Sequence, residues 1–152
     1  AYLNGSTEIW YDPYINRIGS KDDLTTSEKH ILVPLMFTQS GTKPMTSIEM
    51  SIRYVKTYSE WKNSDAIVIV GFGFGTDDEH INGIIRTLLD VDDKKIIIVT
   101  LDTSTCSVKE YAHKLKTLKS DNIQLICVNK EGRIPGTDKT WIDEICERAS
   151  FC

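Results

Sequence analysis

Residues 66–89 read Ala-Ile-Val-Ile-Val-Gly-Phe-Gly-Phe-Gly-Thr-Asp-Asp-Glu-His-Ile-Asn-Gly-Ile-Ile-Arg-Thr-Leu-Leu. They form a strand, a glycine turn and a helix in unbroken succession. Residues 66–70 offer no polar position, so the strand is expected to be buried on both faces, as in a parallel sheet covered by helices. Gly71, Gly73 and Gly75 keep the following turn free of side-chain bulk, which lets backbone amides approach a ligand closely. Thr76 and Glu79 have capping-box spacing and predict the helix start. Ile81, Ile84, Ile85, Leu88 and Leu89 then recur at helical spacing as one apolar stripe. A turn at the carboxyl end of a buried parallel strand is where open α/β sheets bind ligands.

The same unit recurs along the chain. Residues 31–37 form an apolar run that leads through a polar turn to Thr46 and Glu49, a second capping box. The helix after it is expected to carry Ile48, Ile52, Val55 and Tyr58 on its apolar face and to end near Asn63. Residues 95–101 predict a third strand, followed by a capping box at Ser107 and Glu110 and a helix lined by Val108, Tyr111, Ala112, Leu115 and Leu118. Residues 123–128 predict a fourth strand. A polar turn around Gly132 and Gly136 then opens onto a helix with Trp141, Ile142, Ile145, Cys146 and Ala149. Four strand–turn–helix units predict an α/β fold: a parallel sheet of about four strands with helices on both faces, partly Rossmann-like, and no antiparallel pairing. Residues 5–30 lack either period. They read as an irregular excursion from the sheet edge with a short helix near 13–18, serving either as a lid or as an aromatic-anchored surface loop.

With 152 residues, the chain is one domain's worth. A net charge of −4 argues against a nucleic-acid partner, and the apolar runs are far too short to cross a membrane. The first residues lack a basic region followed by an apolar stretch, so no signal peptide is expected. Cys106, Cys127, Cys146 and Cys152 form no Cys-x-x-Cys pair. Idle thiols in a reducing cytoplasm are therefore expected, with no metal ligands.

The turn at residues 71–75 is neither a Gly-x-Gly-x-x-Gly fingerprint nor a P-loop. Asp77, Asp78 and Glu79 crowd the helix start, where they oppose an anion that the helix dipole would attract. A bound nucleotide would therefore meet this turn with its ribose or base; equally, the turn could be tight and ligand-free. Asp102 follows the third strand. It reads either as an acceptor for both hydroxyls of an adenine ribose or as a turn residue. His80 is expected on the exposed helix face, with no metal role, since no second histidine follows at i+4.

Together, Leu3-Asn4-Gly5-Ser6, Pro34-Leu35-Met36-Phe37, the 71–75 turn with Asp77-Asp78-Glu79-His80-Ile81-Asn82, and Ile98-Val99-Thr100-Leu101-Asp102 resemble the carboxyl-terminal half of a sirtuin-like NAD-binding domain of the bacterial branch. The resemblance implies that Gly71, Phe72, Gly73 and Asp102 hold the adenosine half of NAD, with Cys127 and Val128 near the adenine. It places Asn4 where the family carries a histidine that acts as general base toward the nicotinamide ribose. A carboxamide takes up no proton near neutral pH, so base catalysis is not expected from this residue.

Residues 5–33 hold none of the four cysteines of the family's zinc module, which disfavours a protein deacylase. The Gly-Ala-Gly pyrophosphate turn is also missing, so residues 1–152 read as a single domain that is a fragment of a larger one. The expectation is a cytoplasmic, NAD-consuming parent, such as an NAD glycohydrolase of anti-phage defence, that works with the other half of its domain or an effector domain. The isolated chain is expected to show little turnover. The alternatives are a non-catalytic module sensing NAD or an ADP-ribose derivative, an NAD-dependent deacylase, or a bare scaffold that uses a sheet edge for assembly.

Overall fold

A computed structural model describes residues 5–24, 31–36, 48–103 and 106–149. The chain divides into two compact units, Ala1–Glu60 and Trp61–Cys152.

The first unit is built on an antiparallel sheet. β1 (Gly5–Asp12) lies between β2 (Arg17–Gly19) and β3 (Val33–Met36). The β1–β2 connection is a turn in which the buried Asp12 carboxylate accepts hydrogen bonds from the Tyr14 and Ile15 amides at 2.8 and 3.4 Å. Tyr11 donates to Asn16 Oδ1 at 2.9 Å across the same turn. Asp and Asn favour such turns because their short side chains bond the local backbone. A one-turn helix, α1 (Lys21–Leu24), follows. Ser20 and Asp23 exchange side-chain and backbone hydrogen bonds at its start, and Lys21 lies 5.4 Å from the centre of the Trp10 ring.

This unit overturns two expectations. Residues 5–19 are a hairpin, with no irregular excursion and no helix at 13–18. The 31–37 run joins an antiparallel sheet, pairing Trp10 with Pro34 and Tyr11 with Val33. The expected sheet of about four parallel strands therefore has three. The side chains of β1 do not alternate cleanly between apolar and polar, so the pairing of its backbone on both sides was invisible locally. Residues 25–30 and the capping box at Thr46 lie outside the described residues.

α2 (Ile48–Asn63) has the expected length but not the expected buried face. Met50, Tyr54 and Thr57 are buried, whereas Ile48, Ile52 and Val55 are exposed. Both stripes have i, i+4, i+7 spacing, so periodicity could not choose between them.

The second unit is a parallel sheet in the order β4 (Ile67–Val70), β5 (Ile96–Leu101), β6 (Ile123–Val128). α3 (Glu79–Asp90) connects β4 to β5, α4 (Val108–Leu115) connects β5 to β6, and α5 (Trp141–Ala149) closes the chain. Strand residues alternate between faces. Thr100 accepts from Tyr111 of α4 at 2.8 Å, which assigns α4 to the face of Ile96, Ile98 and Thr100. The opposite face carries Ile97, Val99, Ile126 and Val128, packed against Ile134 of the preceding turn and Trp141 and Ile145 of α5. Ile85, Leu88, Leu89, Tyr111, Ala112 and Leu115 are the buried apolar positions of α3 and α4.

β4 is less buried than its composition predicts. Val68 and Val70 are 37% and 52% exposed, because β4 is an edge strand among the described residues and one of its faces is only partly covered. α4 also ends earlier than expected. Lys116 turns to φ 54°, its amide bonds back to Ala112 and His113, and Leu118 is left exposed. A left-handed residue of this kind is the common way to stop a helix.

Candidate functional site

β5 and β6 end level, Leu101 opposite Val128, whereas β4 ends two residues earlier, Val70 opposite Val99. Gly71 donates its amide to the Val99 carbonyl at 3.4 Å, and Asp102 donates to Val128 at 2.7 Å, so each ladder runs one residue beyond its strand. Gly71 has φ 67°, a conformation that favours glycine, and a Cβ there would meet no atom within 4 Å. Backbone conformation selects the glycine, and the space beside it is open.

The loop from Gly71 to Gly75 is held at two points. Phe74 is buried with φ 54°, its ring edge-on to Phe72 at 4.9 Å and to Tyr111 at 5.5 Å. A left-handed phenylalanine costs about 1–2 kcal/mol, which burial of the ring and its aromatic contacts offsets. One residue on, the Gly75 carbonyl accepts from Nδ2 of the fully buried Asn82 at 3.0 Å. Asn82 Nδ2 also reaches Glu79 Oε2 at 3.3 Å.

Glu79 does not act as the expected capping partner of Thr76. Residues Thr76–Asp78 form a 3-10 turn, α3 begins only at Glu79, and its N-cap, Asp78, makes no side-chain capping bond. The Glu79 carboxylate instead accepts from Arg86 at 2.8 Å and from Lys116 at 3.1 Å. Arg86, then Lys116, then Asn82 hold its pKa down at about 2. Arg86 in turn donates Nε to the Leu115 carbonyl at 2.5 Å, joining α3 to the end of α4. Two cations offset Glu79, so the acidity that opposes an anion at this helix start comes from Asp77 and Asp78. His80, expected on the exposed face, is half-buried.

Beside the strand ends on the α5 face lies a cavity of about 220 Å³, walled by residues 99–101 of β5, Val70, Gly71, Val128 and Trp141, with Asn129, Lys130 and Gly132 completing it. Its size falls below the ~300–1,000 Å³ of pockets that enclose a drug-sized ligand, so it suits part of a nucleotide better than a whole dinucleotide. The 129–140 turn that forms its far wall is set by Asn129, whose Oδ1 accepts from the Glu131 and Arg133 amides at 3.1 and 2.8 Å. A Cβ at Gly132 would lie 3.4 Å from the Trp141 ring, so the glycine leaves room for the indole.

Gly71 and Val128 line this cavity directly. Asp102 follows Leu101 and is exposed, as is Gly73, whereas Phe72 is half-buried against Phe74. Cys127 pairs in register with Thr100 and so faces α4, on the side of the sheet opposite Val128. Asn4 lies outside the described residues. Asn129, Lys130 and Trp141 were not anticipated as wall residues. The Gly132 turn was legible as a turn, but its fold back over the strand ends was not.

The expectation of idle thiols fails at one pair. Cys106, in the loop before α4, and Cys127 form a disulfide across a sequence separation of 21 residues. Cysteine spacing reveals local ligand pairs, not two residues that meet only because a loop returns to the end of a neighbouring strand. Cys146 is exposed on α5. No helix among the described residues is long and apolar enough to cross a membrane. No family model, curated protein or solved structure matches the chain, so the case for a function rests on the chemistry of these strand ends.

Proposed function

We propose that the carboxyl end of the parallel sheet binds the adenosine half of NAD or of an ADP-ribose derivative. In this reading the chain is part of a sirtuin-like, cytoplasmic enzyme that consumes NAD, acting as an NAD glycohydrolase. The observation that carries the reading is the placement of Gly71 and Asp102 at the ends of adjacent strands, with Gly71 lining a small, mostly apolar cavity and Asp102 exposed at the sheet's rim on the α4 side. Gly71 gives a ribose or base close access to backbone, Asp102 accepts hydrogen bonds from the ribose hydroxyls, and Val99, Val128 and Trp141 offer apolar surface to the base. Asp77 and Asp78 turn the pyrophosphate away from the start of α3, so its binding wall comes from another segment or chain.

A second reading, a module that senses NAD or ADP-ribose without turning it over, is favoured by Asn4, which cannot act as a general base.

Titration calorimetry of the full chain with ADP-ribose tests the binding. A measurable affinity that falls roughly 10–100-fold in Asp102→Asn is expected, in line with about 1.5–3 kcal/mol for a hydrogen bond to a charged group. No heat at millimolar ligand, or an unchanged affinity in the variant, refutes the reading. Asn4→His in the full-length parent separates the two alternatives. A gain in nicotinamide release supports the hydrolase, and retained ADP-ribose binding with no gain supports the sensor.

A further inference from the structure

Asp102 and Cys106 leave the same turn at the end of β5, which is tightened by a 2.9 Å hydrogen bond from the Cys106 amide to the Thr103 carbonyl. Cys127 comes from the last turn of the ladder in β6, opposite Thr100. One carboxylate oxygen and the two sulfurs all lie within 4.8 Å of one another. We propose that, when the disulfide is reduced, Asp102, Cys106 and Cys127 bind one thiophilic divalent cation of the Zn²⁺ class, with a fourth position open to water.

Two thiolates and a carboxylate form a donor set that zinc accepts, and three protein ligands with one open position make an accessible tetrahedral site. Bonds of about 2.3 Å to sulfur and 2.0–2.2 Å to oxygen require donors roughly 3.5–3.8 Å apart, a spacing this cluster, confined within 4.8 Å, can reach once the two sulfurs are no longer bonded to each other. The Cα atoms of Cys106 and Cys127 are 6.9 Å apart. That is just beyond the ~4.4–6.8 Å usual for a disulfide, a spacing that also accommodates an ion between the sulfurs. Asp102 is exposed and the cysteines are half-buried, so solvent has a path to the ion while two of its ligands are held by the fold.

The disulfide and the metal exclude each other. A dithiol reductant breaks the Cys106–Cys127 bond, giving up two electrons and two protons and itself becoming a disulfide. The cation then displaces the two protons from the cysteine thiols as it binds. The metal and a ribose would compete for Asp102, so all tests of metal binding are made without nucleotide, and their outcome does not depend on the nucleotide reading.

The experiment uses the full chain carrying Cys146→Ser and Cys152→Ser. The protein is reduced with dithiol, freed of reductant under nitrogen, and titrated with Co²⁺ followed by Zn²⁺. One cobalt per chain, a thiolate-to-cobalt charge-transfer band, its displacement by zinc and release of protons on binding are expected. The oxidised chain should bind none. Cys106→Ser and Cys127→Ser should each reduce the charge-transfer band and weaken binding by more than the ~10–100-fold that loss of an outer-shell partner costs. Asp102→Asn should keep the band but weaken binding at least about tenfold. Any of three results overturns the proposal: no stoichiometric binding by the reduced protein, equal binding by the oxidised protein, or affinity unchanged by Asp102→Asn or by either cysteine variant. The reduced and oxidised forms have one sequence, so their comparison holds even if a variant fails to fold.

Discussion

Replacing Glu79 with glutamine tests whether the charge cluster at the start of α3 holds the glycine loop and the α3–α4 junction together. The side chain keeps its shape and can still accept from Asn82, but it loses its charge toward Arg86 and Lys116, which lie 2.8 and 3.1 Å away. The drop in its pKa from 4.5 to about 2 caps the contribution at roughly 3 kcal/mol. The carboxylate is 31% exposed, so solvent screening brings that down to about 1–1.5 kcal/mol.

The sign follows from proton linkage. A carboxylate with a depressed folded-state pKa contributes fully above its unfolded value of 4.5, and the contribution is lost as pH falls toward about 2. At pH ~3 less than half of it should remain. Urea denaturation of wild-type protein and Glu79→Gln at pH 7 and pH 3 measures this, and the other acids cancel in the difference between the two proteins. A difference of about 1 kcal/mol at neutral pH that shrinks by at least half at pH ~3 is expected. An equal difference at both pH values, or none at pH 7, refutes the assignment.

Leu88→Ala removes a side chain with no exposed surface, and should cost about 3 kcal/mol, seen as a lower urea midpoint at unchanged slope. Ser107→Ala deletes the oxygen that accepts the Glu110 amide at 3.3 Å, and should cost about 1 kcal/mol, which Ser107→Asp restores.

Residues 123–128 form β6 to the residue, and β5 begins one position inside the expected run, because an uninterrupted apolar stretch between polar turns has few other uses. α5 and the Ser107 cap were legible for similarly local reasons. What escaped depended on contacts between distant parts of the chain. The strand at Gly5–Asp12 is made by two neighbours rather than by its own pattern. The buried stripe of α2 competed with an equally periodic stripe on nearly the opposite face of the helix. Thr76 and Glu79 satisfy the spacing of a capping box, but Arg86 and Lys116 offer Glu79 a full positive charge where the cap offers only an amide dipole. The Cys106–Cys127 pair and the cavity wall around Trp141 arise where loops return to the strand ends, which no local window shows. Gly71 and Asp102 were placed at strand ends from sequence because strand, turn and helix follow one another without interruption there.

The central position of β5 sets how the second unit opens. Its backbone is bonded to β4 on one side and β6 on the other, and Ile96 and Ile98 have almost no exposed surface. Amide exchange in β5 therefore requires the whole unit to unfold, and its protection reports the full stability of that unit. Beyond Gly71, which the Val99 carbonyl ties to the sheet, the 71–75 loop is moored through the Phe74 ring and the Gly75 carbonyl, with Gly73 exposed before them. Breaking those two moorings is a local event that leaves the sheet closed. In the proposed reading, the loop would then part and reclose around the adenosine half many times in the lifetime of the folded sheet, so capture and release would be separated from the stability of the fold that presents them.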